Sequence, residues 1–288
     1  MRRPRGGTPQ HFLMCRPTYV TVEYEINPWM HTAVPTDTAR AVAQWEELYD
    51  TYVRLGHRID LIEPVEGLPD MVYAANGGLV SDGVVYTAKF TYPQRMPEGP
   101  LYAKWFADPG FRVRTAPETN EGEGDILTVG NLVLAGTGFR TSTASHTELQ
   151  EVIGKPVITL QLVDPRFYHL DTALMVLSDT EIAYYPPAFS EGSRRVLERL
   201  FPDAVIATEQ DAVVLGLNGV SDGLHVIHNP RATDLAAALA ERGFEPVGVD
   251  TSELLKGGGG AKCCTLEIRP APQGQDTPRT AELAAGVG

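Results

Sequence analysis

The chain has three cysteines in 288 residues, and two of them are adjacent. So few thiols cannot staple a fold, which argues against a disulfide framework and for a reducing compartment. It has no apolar run near the length of a membrane span. Met1 to Gln10 is basic and rich in Pro and Gly, without the apolar core of a signal peptide, so the cytoplasm is the expected location. Basic residues are outnumbered, with 24 Lys and Arg against 37 Asp and Glu and a net charge of −13. That balance speaks against a nucleic-acid surface and against an anionic membrane, both of which need clustered cations. It leaves room for a small cationic substrate, which an acidic cleft attracts. A doubly wound nucleotide fold is not indicated, because no Gly-x-Gly-x-x-Gly motif is present. His225 and His228 are the nearest thing to a metal pair. On a strand their spacing puts them on opposite faces and no third ligand is evident, so no metal is expected.

The most unusual stretch is Lys256-Gly257-Gly258-Gly259-Gly260-Ala261-Lys262-Cys263-Cys264-Thr265-Leu266-Glu267-Ile268. Consecutive glycines are costly to order, and make sense where the backbone needs positive φ or a close neighbour. They are followed by two cysteines and an alternating β-prone run. A thiol at the mouth of a strand is a position for a nucleophile. The same residues also read as a Gly-rich hairpin ending in two small core side chains, since free Cys is often buried and inert. If the strand begins at the cysteines, alternation turns Cys264 away from Cys263 into the core.

Upstream, one unit recurs about five times: strand, tight turn, strand, helix, strand. "DMVYAANGGLV", Ser81-Asp82-Gly83 and Val84–Thr87 give one instance, and "VLGLNGVSDGLHVIHN" another. Apolar residues at helical spacing between Thr36 and Leu55 (Ala41, Trp45, Leu48, Tyr52) give a crossover helix, with Thr36 as its cap. Two-residue turns make strand pairs antiparallel, and helices link strands by crossover. The expectation is a single mixed α/β domain over residues 11–270, with tails at 1–10 and 271–288. Small sheets repeated around an axis limit exposed edges. Polar residues recur where a loop meets a strand: Asn27, Asp70 and Asn76, then Glu121, Glu123 and Asp125, then His169 with Asp171, Asn218 with Asp222, and Cys263. Taken singly, most have a plainer reading. Asn27 precedes Pro and suits a turn, and the 121–125 run suits a solvated loop.

Four segments in order carry a resemblance. "FYHLDTALM" is similar to the His-x-Asp signature of the guanidino-group-modifying superfamily, which holds arginine deiminases, amidinotransferases and dimethylarginine dimethylaminohydrolases. "EGEGDILTVG" resembles its acidic Gly-Asp strand, "LPDMVYAANGGLV" its substrate loop, and "GGGGAKCCTLEI" its nucleophile loop. The resemblance implies a five-bladed α/β propeller (pentein) and cofactor-free chemistry on a guanidinium. It implies Cys263 as nucleophile, His169 as general acid and base, and an acidic partner for which Glu123 is the candidate. It also implies Asp70, Glu121, Asp125, Asp171 and Asn218 around the substrate, with Arg140 for the substrate carboxylate. Dimethylarginine hydrolases carry Glu-Asp where this chain has Ala75-Asn76. "YEINPWM" and "PDMVYAANGG" are instead similar to arginine dihydrolases, which adds Asn27 and Asn76 to the site. The leading expectation is therefore arginine hydrolysis to ornithine, ammonia and carbon dioxide, with dimethylargininase or amidinotransferase activity as the alternatives. A non-catalytic scaffold is the reading from a different class.

Overall fold

The computed structural model describes residues 4–270; the expected tail 271–288 and residues 1–3 lie outside the described residues. Five three-stranded sheets form the molecule. β3 (Gly78–Ser81), β4 (Val84–Thr87) and β5 (Arg112–Arg114) make one blade, with helix Glu98–Ala107 between β4 and β5. The next three blades follow in order: β6 (Ile126–Val129), β7 (Leu132–Thr137), β8 (Val157–Gln161); β9 (Leu174–Val176), β10 (Ile182–Tyr184), β11 (Val205–Ile206); β12 (Val220–Ser221), β13 (His225–His228), β14 (Glu245–Gly248). In each, the first pair is antiparallel and the third strand is parallel to the second, as a tight turn followed by a helical crossover dictates. The fifth blade is split. β1 (His11–Cys15) pairs parallel with β2 (Arg58–Ile62) and antiparallel with β15 (Leu266–Glu267), so the two ends of the fold close the ring together.

Local chemistry sets these elements. β3 and β4 are joined by Asp82-Gly83, both at positive φ (51° and 74°), the geometry of a two-residue hairpin turn. Helix Thr38–Arg54 starts one residue after the Asp37 cap, whose carboxylate accepts from the Arg40 amide, so Asp37 rather than Thr36 is the cap. It buries Ala41, Trp45, Leu48 and Tyr52 against the blade closed by β15. First strands such as β3 are fully buried, while outer strands such as β5 are exposed and bear Arg112 and Arg114. Charged edges of this kind resist pairing with other chains.

Residues 4–10 differ from the expected tail. Arg5 forms a bidentate pair with Glu181 and lies over the Phe244 ring, and the Thr8 amide donates to the Asp222 carbonyl. Cation and backbone contacts pin a segment that composition alone reads as unstructured. No described helix is long and apolar enough to cross a membrane.

The topology places the site. The short segments that enter the first strand of each blade carry Asp70 and Asn76 (before β3), Glu121 to Asp125 (before β6), His169 and Asp171 (before β9), Asn218 (before β12) and Cys263 (before β15). These five entrances meet through hydrogen bonds: Asn76 with the Glu121 carbonyl, Glu121 with His169, Asn218 with the Asp171 carbonyl and with Cys263, and the Ala75 amide with the Cys263 carbonyl. A separate cavity of about 1010 Å³ is lined by Lys262, Thr265, Glu267 and Arg269, among others.

Candidate active site

Cys263 lies in a turn that precedes β15, two percent exposed. Its Sγ is 3.2 Å from Asp171 Oδ2 and accepts from Asn218 Nδ2 at 3.1 Å. The Asn218 carbonyl oxygen Oδ1 accepts from the amides of Gly260 and Cys263 at 2.8 and 3.1 Å, so one amide side chain holds both the loop and the sulfur. Because the strand starts only at Leu266, the expected alternation does not apply to the two cysteines. Cys263 still presents its sulfur to Asp171 and Asn218, while Cys264 is fully buried in the apolar cluster that includes Trp45 and Tyr52.

The glycines are explained by their neighbours. A Cβ on Gly259 would lie 2.6 Å from the Tyr73 ring and 2.9 Å from Cys263 Cβ. Gly258 has φ +94°, and its Cβ would lie 2.7 Å from Asn27 Nδ2 and from Tyr168 Oη. Any side chain there is strained and obstructed at once. Asn27 itself donates to the Gly257 carbonyl at 3.1 Å, so its place is beside the nucleophile loop.

His169 and Glu121 form the second half of the site. His169 Nε2 is 2.7 Å from Glu121 Oε2, and Arg140 Nη1 donates to the same oxygen at 2.9 Å. Arg140 also donates to the Ile26 carbonyl and lies between the Tyr92 and Tyr168 rings. Burial opposes ionisation of Glu121, but Arg140 and His169 outweigh it and hold the carboxyl well below the usual range. Asp171 has the opposite balance. Burial dominates over the attraction of Lys262, and its carboxyl is pushed up to about 7. Burial, reinforced by Asp171, pushes the Cys263 thiol well up. His169 Nδ1 and Asp171 Oδ1 are buried without a hydrogen-bond partner. Buried polar atoms are normally paired, so two such atoms at one site make it a candidate ligand-binding site.

The remaining candidates separate clearly. Asp125 accepts from Thr141 Oγ1 at 2.6 Å and from the Leu170 amide at 3.0 Å, fixing the segment that bears His169. Burial raises its carboxyl to about 6. Glu123, expected as the catalytic carboxylate, is instead held by Arg269 Nη1 at 2.6 Å, the Glu267 amide at 3.0 Å and Lys262 Nζ. The partner of His169 is Glu121. Asn76 donates to the Glu121 carbonyl and accepts from Arg95 Nη1 at 2.7 Å. Asp70 accepts from Tyr24 Oη at 2.9 Å, and its carbonyl accepts from Arg95 Nη2.

Arg95 was invisible to pattern reading. It is three percent exposed, paired through two nitrogens with fully buried Glu98, and stacked on Phe90. In sequence, Arg95 and Glu98 are an ordinary i,i+3 pair at a helix start, which more often lies in solvent. Tyr73, Tyr168 and Lys262 were also missed as site elements. Among the described residues no group of three side chains is placed to hold a metal.

No family model matches the chain. It is 55% identical over 269 residues to the N(G),N(G)-dimethylarginine dimethylaminohydrolase of Mycobacterium tuberculosis, covering 93% of this chain and 89% of that one. It is 40% identical over 263 residues to the bifunctional arginine dihydrolase/ornithine cyclodeaminase ArgZ of Synechocystis, covering 89% of this chain but 37% of that longer protein. The solved N-terminal domain of ArgZ, a cyanobacterial arginine dihydrolase bound to substrate, superposes with a TM-score of 0.87 at 38% identity, over 91% of this chain and 98% of that domain. A dimethylarginine dimethylaminohydrolase structure at 20% identity shares the fold, with a TM-score of 0.74 over 91% of this chain and all of that one. The chain thus belongs to the guanidino-group-modifying enzymes, the pentein family of C–N hydrolases that contains the dimethylargininases and the arginine dihydrolases.

Proposed function

We propose that the protein hydrolyses the guanidino group of a free arginine-type amino acid through a covalent intermediate on Cys263. The observation that carries this reading is the meeting of two buried pairs, Cys263 with Asp171 and His169 with Glu121, each with one polar atom left unpaired. A guanidinium is planar and cationic, and its N–H groups suit carboxylates. With no cation present, burial and Asp171 keep the thiol protonated. A bound guanidinium places positive charge beside both groups and favours the thiolate, which is the competent nucleophile. The thiolate attacks the guanidino carbon, His169 delivers a proton to the departing nitrogen, and an amine leaves. Water, deprotonated by His169, then attacks the thiouronium carbon. The C–S bond breaks, the ureido product forms, and the thiol is restored.

Two substrates fit this chemistry. The 55% identity over nearly the full length of both chains supports a methylated arginine, giving citrulline and dimethylamine. Asn76 supports arginine itself, taken through two rounds to ornithine. A neutral amide in place of a carboxylate lets a neutral ureido group bind where the guanidinium did, and Asn76 stands against both Arg95 and the Glu121 backbone.

The test is product analysis by mass spectrometry with arginine, citrulline and asymmetric dimethylarginine offered separately and Cys263→Ser as blank. Citrulline and dimethylamine from the methylated substrate alone select the first reading. Ornithine from arginine selects the second, and Asn76→Asp is then expected to stop at citrulline. No turnover of any of the three contradicts the proposal.

A further inference from the structure

Four side chains from four different parts of the ring hold the glycine loop. Tyr73 Oη donates to the Leu254 carbonyl and its ring packs on Gly259, Asn27 donates to Gly257, Asn218 accepts from Gly260, and Tyr168 Oη donates to the Gly258 carbonyl at 2.9 Å. Tyr168 differs from the other three. Its ring lies 4.6 Å from the His169 ring and 4.7 Å from the Arg140 guanidinium. It is thus in contact with the acid/base residue, with the arginine on Glu121, and with the loop that carries the nucleophile. We infer that Tyr168 is a positioning residue, whose hydroxyl fixes the Gly258 carbonyl and so sets the distance between Cys263 and the His169–Glu121 pair.

The geometry gives this role physical content. Tyr168 precedes His169 directly, so the backbone that places one ring places the other. Gly258 sits at φ +94°, where no L side chain rests easily and the peptide plane has unusual freedom to rotate. A hydrogen bond to that carbonyl removes the freedom at the point where the chain turns toward Cys263. Burial raises the phenol far above its ordinary range, so it remains a donor throughout the working pH range.

This inference rests on the function proposed above, and its test separates the two. Tyr168→Phe keeps the ring against His169 and Arg140 and removes only the hydroxyl. Expected is a fall in kcat of about 10- to 100-fold with KM changed less than about 2-fold, since small misplacement of reacting groups costs rates on this scale. Amide hydrogen exchange is expected to rise over residues 257–263 and to stay unchanged in the blade strands, with the melting temperature shifted by a few degrees at most. Tyr168→Leu, which also removes the ring, is expected to raise KM as well. A Tyr168→Phe variant with wild-type kcat, or with a kcat loss matched by general destabilisation and uniform exchange, overturns the positioning role. If the wild-type protein turns over none of the three arginine-type substrates, the proposed function fails, and hydrogen exchange at 257–263 alone decides the role of Tyr168.

Discussion

Glu121 and Glu123 are two residues apart, both buried, and engaged on different sides of the same turn. Glu121 holds His169 and Arg140, whereas Glu123 holds Lys262 and Arg269. The account therefore expects different consequences from the same change. Glu121→Gln should lower kcat by roughly 10²- to 10⁴-fold with the fold retained, as loss of an acid/base partner does. Glu123→Gln should chiefly destabilise, by about 3–5 kcal/mol, because it leaves two cations short of a buried partner. Parallel steady-state kinetics and urea melts check this, and a stable but inactive Glu123→Gln variant would contradict it. The sequence could not separate the two residues. In a strand they would share a face, but Glu121 caps a 3₁₀ turn, Gly122–Gly124, and Glu123 lies inside it, so the three-residue period sends the two side chains in different directions. Asp171 supports a further expectation. Its carboxyl is raised to about 7 in the folded protein and is near 4 when unfolded. The unfolded state therefore releases the proton first, and stability contributed by this group declines as pH rises from about 4 to about 7. Asp171→Asn removes that decline, so the variant should gain stability relative to wild type between pH 5 and pH 8 in denaturant melts.

At the scale of elements, the loops that enter each first strand carry the candidate site residues, and the strands aim them. The nucleophile loop is the sharpest case. Gly259→Ala places a methyl against Tyr73 and Cys263, and Gly258→Ala places one against Asn27 and Tyr168 at a φ that disfavours it. Each should cost about 1–3 kcal/mol of stability, the range for strained backbone sites, together with most of the activity. Calorimetry and kinetics on the two variants measure both losses, and an active, stable Gly259→Ala protein would contradict the packing argument. Elements of this kind were legible in part. Asp82-Gly83 announces its hairpin by turn chemistry, and Trp45, Leu48 and Tyr52 announce their helix by spacing. Arg95 does not, because its burial follows from where helix Glu98–Ala107 packs in the ring and not from its neighbours in sequence. The hold on residues 4–10 was hidden for the same reason, since Arg5 finds its partners 176 and more residues away.

For the whole molecule, the repeated unit was enough to reach five small mixed sheets, because turn length and helical crossover fix pairing direction within each, whereas their closure into a five-bladed ring came from the family resemblance. The convergence of five loop ends on one axis follows from that ring and from nothing local. Net charge acts at this scale too. A chain at −13 that takes a cationic substrate should associate faster at low salt. The value of kcat/KM for an arginine-type substrate is expected to fall as ionic strength rises, with kcat nearly unchanged, because salt screens approach more than it screens a closed site. A salt-independent kcat/KM would contradict electrostatic steering. The central claim, covalent chemistry at Cys263 of a closed ring, is tested most directly by acid-quenching the enzyme during turnover and weighing its peptides. The account predicts an amidine-bearing adduct on the peptide that holds Cys263, lost in Cys263→Ser together with all product formation. Product released with no adduct at any time, or turnover surviving in Cys263→Ser, would contradict it.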